Sequence, residues 1–98
     1  MAKFKKIEGT KGQYMFYCPG CKGYHSVWTV DEGHQHPIWG FNGDVEKPTI
    51  TPSIRVEYPT PEKLNICHSF IKDGMIQFLG DCTHNLAGQT VELPEFDE

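Results

Sequence analysis

Two cysteines at a spacing typical of zinc ligands are the most informative residues in the sequence. Cys18 and Cys21 enclose a Pro-Gly pair between two β-prone segments. Such a turn directs two thiolates to one point and offers backbone N–H groups to their sulfur atoms. A redox pair is disfavoured because no βαβ pattern surrounds the motif. The pattern predicts a bound zinc ion, Zn²⁺, and a tetrahedral structural zinc needs two further ligands.

The missing ligands are expected from a second hairpin, which turns at Asp73-Gly74. Because strand side chains alternate between two faces, Cys67 and Cys82 fall together on the apolar face of this hairpin. His84 is the alternative to Cys67 as the fourth ligand, and His68 would require a shift in register. Four free cysteines are the remaining alternative. The predicted zinc ligands are Cys18, Cys21, Cys67 and Cys82.

A group of polar residues in and after the same hairpin could support catalysis. His68, Asp81 and His84 are candidate catalytic residues, because a carboxylate beside two histidines suits general acid–base chemistry. The same residues could instead form hydrogen bonds that orient the zinc ligands. The pattern therefore leaves both a catalytic and a supporting role open.

Three further residues form a candidate binding surface, which consists of Trp39, Asn42 and Ser53. In an enzyme, Asn42 and Ser53 would place a substrate. His34 and His36 lie in a predicted loop, where they could hold a second metal ion or remain a solvated pair. These residues define where a partner or substrate is expected to bind.

The elements that must position these residues are short strands separated by turns. Prolines at positions 48 and 52 argue against a central strand between them and favour an edge or an extended strap. An amphipathic helical pattern is lacking. The prediction is an all-β or β-dominated small domain, stabilised by zinc, with zinc-ribbon-like hairpins and a zinc knuckle. The predicted strands cover residues 13–17, 24–30, 38–41, 54–58, 64–72, 75–81 and 90–93.

Length and charge limit the organisation and the partners. A chain of 98 residues fits one domain. We expect a basic N-terminal tail or first edge segment over 1–12, a single zinc-binding β domain over 13–93 and an acidic tail over 94–98. The formal net charge of −4 disfavours a general nucleic-acid coat. The lack of a signal-peptide pattern and of a membrane-spanning run predicts a cytoplasmic protein.

Five sequence blocks, in this order, resemble a family of short phage and prophage proteins whose members are often labelled "ammonia monooxygenase" or a domain of unknown function. The resemblance covers about residues 14–93 and implies a phage gene product with a zinc site built from these Cys and His positions. The monooxygenase label is not supported, because the chain lacks a His set suited to copper. The blocks are Cys18–Cys21, Trp39–Asp44, Pro48–Ser53, Cys67–Ile71 and Ile76–Val91.

Three functions are consistent with these features. The first is a binding or regulatory module in which a structural zinc holds two hairpins and which acts on a host or phage macromolecule. A protein partner is favoured over nucleic acid because of the net charge. The second is a small zinc-dependent hydrolase or nuclease-like enzyme that uses His68, Asp81 and His84. The third is a minor virion or assembly component. The expected location is the cytoplasm of the infected bacterial host.

Overall fold

The computed structural model of the protein describes residues 2–31, 33 and 37–96. The predicted second metal site at His34 and His36 lies outside these residues. Every regular element of the described chain is a β-strand, so the all-β prediction is confirmed. No helix among the described residues is long and apolar enough to cross a membrane. The strands are β1 (Lys5–Lys6), β2 (Gln13–Cys18), β3 (Gly23–Trp28), β4 (Gly40–Phe41), β5 (Ile50–Pro59), β6 (Leu64–Lys72), β7 (Met75–Phe78) and β8 (Thr90–Glu92).

The strands form two antiparallel sheets that share one core. The first sheet has the order β1-β2-β3, and the second has the order β4-β5-β6-β7-β8. Phe16 and Val27 of the first sheet are fully buried, as are Ile71 and Phe78 of the second. Burying a side chain of this size stabilises a fold by about 1.5–3 kcal/mol. The apolar faces of the two sheets therefore hold the molecule together.

The N-terminal segment contributes to this core. Phe4 is buried and stacks on Phe16 and Phe41, with ring centroids 5.5 and 5.6 Å apart. The ammonium of Lys3, also buried, donates to the Gly74 carbonyl at 3.2 Å and to Glu92 at 3.1 Å. The start of the chain thus leads through buried residues into edge strand β1.

The β6–β7 hairpin has the register that its turn predicts. Lys72 lies opposite Met75, and the two turn residues have positive φ angles of 51° at Asp73 and 78° at Gly74. Positive φ at both positions is the requirement of a type I′ turn, which explains the Asp-Gly sequence. The strand β7 ends at Phe78, three residues earlier than predicted. The residues after Phe78 therefore do not follow the alternation of a strand.

The expectation that closely spaced prolines exclude a central strand is wrong. Strand β5 lies between β4 and β6 although it contains Pro52. The pairing of β5 with β6 shifts between Ile50 and Ile54, which is the signature of a bulge. A bulge tolerates proline because its residues need not donate to the ladder. Ser53 lies within this bulge.

Candidate active site and metal centre

The turn between β2 and β3 has the geometry of a zinc knuckle. The backbone N–H of Cys21 donates to the sulfur of Cys18 at 3.4 Å, and the N–H of Lys22 donates to the Cys18 carbonyl at 2.8 Å. Lys22 adopts a φ of 57°, a left-handed conformation that glycine accepts more readily. The chain thus makes the sharp turn one residue before Gly23.

Four ligand atoms converge where this knuckle meets the second sheet. One atom each from Cys18, Cys21, Cys67 and His84 lies within 4.8 Å of the other three. The sulfurs of Cys18 and Cys67 are 3.7 Å apart, and two thiolates on one tetrahedral zinc, each at about 2.3 Å, would be separated by about 3.8 Å. Among the described residues, the Nε2 atom of His84 is buried without a hydrogen-bond partner, which leaves it free to coordinate a metal ion. The group therefore fits zinc in both chemistry and spacing.

The fourth predicted ligand, Cys82, does not belong to this group. From the sequence, Cys67 and His84 are alternatives for one zinc-ligand position. The fold instead brings both residues to the knuckle. The sulfur of Cys82 instead lies 3.2 Å from both the backbone N and the backbone O of His68. The physical reason is the early end of β7, because the chain bends at residues 79–82 and the alternation that placed Cys82 on the inner face no longer applies.

The close approach of His84 also explains a glycine of the knuckle. A Cβ atom at Gly20 would collide with the His84 ring. The backbone N–H of Leu86 donates to Nδ1 of the same ring at 3.2 Å. The ring is therefore confined between the knuckle and its own loop.

The electrostatics of the cluster favour a thiolate at Cys18, whereas burial raises the pKa of Cys21. Hydrogen bonding by Cys67 outweighs burial and, with a contribution from His25, lowers the pKa of Cys18 to about 4. The same hydrogen bond and burial raise the pKa of Cys67, because the two sulfurs share one proton. A hydrogen bond to Cys21 raises the pKa of Tyr58 to about 12. Since zinc binds deprotonated sulfur, Cys18 is ready to act as a ligand.

A second polar cluster lies on the opposite face of β6. The Nε2 atom of His68 is 3.1 Å from the hydroxyl oxygen of Ser53, and its Nδ1 atom is 3.1 Å from a carboxylate oxygen of Asp81. A histidine between a serine hydroxyl and a carboxylate is the arrangement of a Ser-His-Asp triad, which is recognised by geometry rather than by position in the chain. The three residues can therefore activate a serine hydroxyl as a nucleophile.

The carboxylate of this triad is held in its charged form. Partial burial works against ionisation, but the hydrogen bond and charge of His68, together with Arg55, lower the pKa of Asp81. A guanidinium nitrogen of Arg55 lies 3.1 Å from Asp81, and a second one contacts Glu57 at 2.6 Å. The side chains of His68 and Asp81 are 23% and 43% exposed, so a substrate can reach them.

The predicted binding residues have different roles in the fold. The indole N–H of Trp39 donates to the backbone carbonyl of Ser53 at 3.3 Å and so supports the backbone of the triad serine. The side chain of Asn42 closes the β4–β5 loop, where it accepts from the N–H groups of Asp44 and Thr49. Trp39 therefore belongs to the surroundings of the triad, whereas Asn42 stabilises a loop.

The sequence indicates the members of the triad without their arrangement. It groups His68 and Asp81 with His84, which the fold places at the metal cluster. It predicts a substrate-placing role for Ser53, whose hydroxyl lies beside His68 in the structure. The signal that could have joined them is the register of β5 against β6, in which Arg55 lies opposite His68. The position of the bulge in β5 cannot be read from the sequence, so this register could not be predicted.

A comparison with known families gives a match over most of the chain. The model of a family described as BubE, bacterial ubiquitination-like system serine protease, matches residues 2–79 of the 98. The matched range contains Ser53 and His68 and stops two residues before Asp81. No curated protein and no solved structure matches the chain. Since the family model covers most of its length, the chain belongs to the BubE family of bacterial ubiquitination-like system serine proteases.

Proposed function

We propose that the protein is a serine hydrolase that cleaves peptide or isopeptide bonds, with Ser53 as the nucleophile. The observation that carries the proposal is the placement of His68, whose two ring nitrogens lie 3.1 Å from the Ser53 hydroxyl and from the Asp81 carboxylate. The description of the BubE family as serine proteases supports the choice of an amide bond. The role of Asp81 is to orient His68.

In the proposed reaction, the oxygen of Ser53 attacks the carbonyl carbon of the scissile bond while its proton moves to Nε2 of His68. The tetrahedral intermediate collapses with cleavage of the C–N bond, and the leaving amine takes the proton from His68. Water then attacks the acyl-serine ester, again giving a proton to His68. The acid product departs and Ser53 recovers its proton, so the triad returns to its initial state.

We also propose that zinc binds Cys18, Cys21, Cys67 and His84 as a structural ion. Four protein ligands leave no coordination position for a water molecule, which a catalytic zinc requires. The ion would therefore join the two sheets without taking part in bond cleavage. A structural role for zinc, with catalysis at Ser53, favours serine-based hydrolysis over the zinc-dependent hydrolase or nuclease that the sequence also suggests.

The origin of the protein, the source of its substrate and its cellular location remain predictions. The phage or prophage origin rests on the sequence resemblance, and a protein substrate from host or phage agrees with the proposed amide-bond cleavage. The four free cysteines are compatible with the reducing cytoplasm of a bacterium, which we propose as its location. A purely non-catalytic binding module would give no role to the geometry around His68.

The proposal is tested by treating the zinc-loaded full chain with a fluorophosphonate, which reacts with activated serine hydroxyls. We expect one adduct, located on Ser53 by mass spectrometry and lost in Ser53→Ala and His68→Ala. Ser26→Ala is the matched control, because Ser26 is an exposed strand serine on the other sheet. An unmodified wild-type chain, or an adduct that persists in Ser53→Ala, would contradict the proposal.

A further inference from the structure

The outer face of the second sheet contains a cleft that the triad does not use. It has a volume of about 330 Å³ and extends over β6, β7 and β8. Phe70 and Met75, on neighbouring strands, leave 43% and 37% of their surfaces exposed. Exposed apolar side chains that line a concave surface are typical of a binding site. The cleft is lined by Phe70, Lys72, Asp73, Met75, Gln77 and Thr90.

Strand geometry places one end of the cleft near the catalytic groups. His68 and Phe70 are two residues apart on β6 and so project from the same face, about 7 Å apart along the strand. Across β5, Phe70 lies at the level of the bulge between Ile50 and Ile54 that contains Ser53. The hydroxyl of Ser53 contacts His68 on this face. Phe70 is therefore the lining residue of the cleft that lies next to His68 on the outer face of β6.

The chemistry of the cleft defines what it would accept. Its Phe and Met side chains offer an apolar surface, and its charged members, Lys72 and Asp73, have opposite signs. This combination favours an uncharged side chain, since the cleft has no net charge with which to pair an ionic one. A pocket of this kind discriminates by burial of apolar area.

We infer that this cleft is a substrate subsite that receives a large apolar side chain of the residue supplying the scissile carbonyl. The inference rests on the proposed function and adds the substrate class to it. Leucine, methionine and phenylalanine residues are the expected occupants. Phe70 is the specificity-determining residue, because it lies between the triad and the remainder of the cleft.

The test measures kcat/KM of the full zinc-loaded chain on p-nitrophenyl esters of N-acetyl leucine, alanine, aspartate and lysine. Hydrolysis by Ser53→Ala is subtracted as background. We expect the leucine ester to be preferred over the alanine ester by about tenfold or more, as is usual for an apolar pocket. Phe70→Ser should bring this ratio close to one, and Met75→Ser should lower it as a second variant.

Leu64→Ser is the matched control, because Leu64 is an exposed apolar residue on the same face of β6, on the other side of His68. Its ester preference should equal that of the wild type. A wild type without leucine preference or without ester turnover, or a preference unchanged in Phe70→Ser, overturns the subsite alone if fluorophosphonate still labels Ser53. An unlabelled Ser53 overturns the proposed function and the subsite together.

Discussion

The two faces of strand β6 carry two different polar clusters one residue apart. Cys67 faces inward and joins Cys18, Cys21 and His84, whereas His68 faces outward and joins Ser53 and Asp81. Cys67 is 2% exposed, but the His68 side chain is 23% exposed. The alternation of a strand thus separates a metal cluster with two buried cysteines from a polar cluster that is open to substrate.

The clusters also differ in how they connect the molecule. The metal ligands come from both sheets, because Cys18 ends β2 of the first sheet and Cys67 belongs to β6 of the second. The triad residues all come from the second sheet and the turn that follows β7. A bond between sheets contributes to the stability of the whole fold, whereas a cluster on one sheet can be altered locally. Substitutions on the two faces should therefore have unequal consequences.

The largest effect is expected from Cys18→Ser, which removes a ligand that joins the sheets. Structural zinc contributes on the order of 10 kcal/mol to the folding of small zinc peptides. We expect the variant to lose zinc, to unfold and to lose hydrolase activity. Zinc content by mass spectrometry and thermal melting measure this effect. If zinc-free Cys18→Ser melted at the temperature of the zinc-loaded wild type, this result would contradict the structural role of the metal.

Ser53→Ala should abolish the function of the outer polar cluster without affecting the metal cluster. We expect hydrolysis to fall by about 10⁴-fold or more, since loss of a triad nucleophile removes covalent catalysis. Zinc content and melting temperature should remain those of the wild type, because Ser53 does not contact the metal cluster. Ester hydrolysis and melting curves, with Ser26→Ala as the control, provide the comparison. If Ser53→Ala also lost zinc, the two clusters on β6 would not be independent.

A pair of substitutions after β7 distinguishes the zinc ligands. His84→Ala should lower the affinity for zinc by at least about 100-fold, more than the loss of a residue that only supports a ligand. Cys82→Ser should keep zinc bound, because the Cys82 sulfur contacts the backbone of His68 instead of the metal group. Competition with a chromogenic chelator measures both affinities. The opposite result would restore Cys82 as the fourth ligand.

The smallest expected effect is a gain in stability at the knuckle. Lys22 has a positive φ of 57°, which costs a residue with a Cβ about 1–2 kcal/mol. Lys22→Gly should therefore raise the free energy of unfolding by about 1 kcal/mol, after the greater flexibility of glycine in the unfolded chain is taken into account. Urea unfolding measures the change. Gly23→Ala, at a position without positive φ and with open space for a Cβ, is the control.

Several features of the fold follow from local sequence. The Asp73-Gly74 turn set the β6–β7 register, because only residues that accept positive φ form such a turn. The Cys18–Cys21 knuckle is equally local. The position of β5 was not predictable in this way, since Pro52 argued against a central strand and the bulge that accommodates it depends on pairing with β6.

The sequence by itself determined the all-β class, the hairpin that carries Cys67 and His68, and the half of the metal site contributed by Cys18 and Cys21. These features depend on neighbours within a few residues. Tertiary structure decided that His84 rather than Cys82 reaches the knuckle and that Ser53 meets His68. Both outcomes arise where a strand is interrupted, at the end of β7 and at the bulge of β5. At such points the two-residue alternation fails, and packing between distant segments decides where a side chain lies.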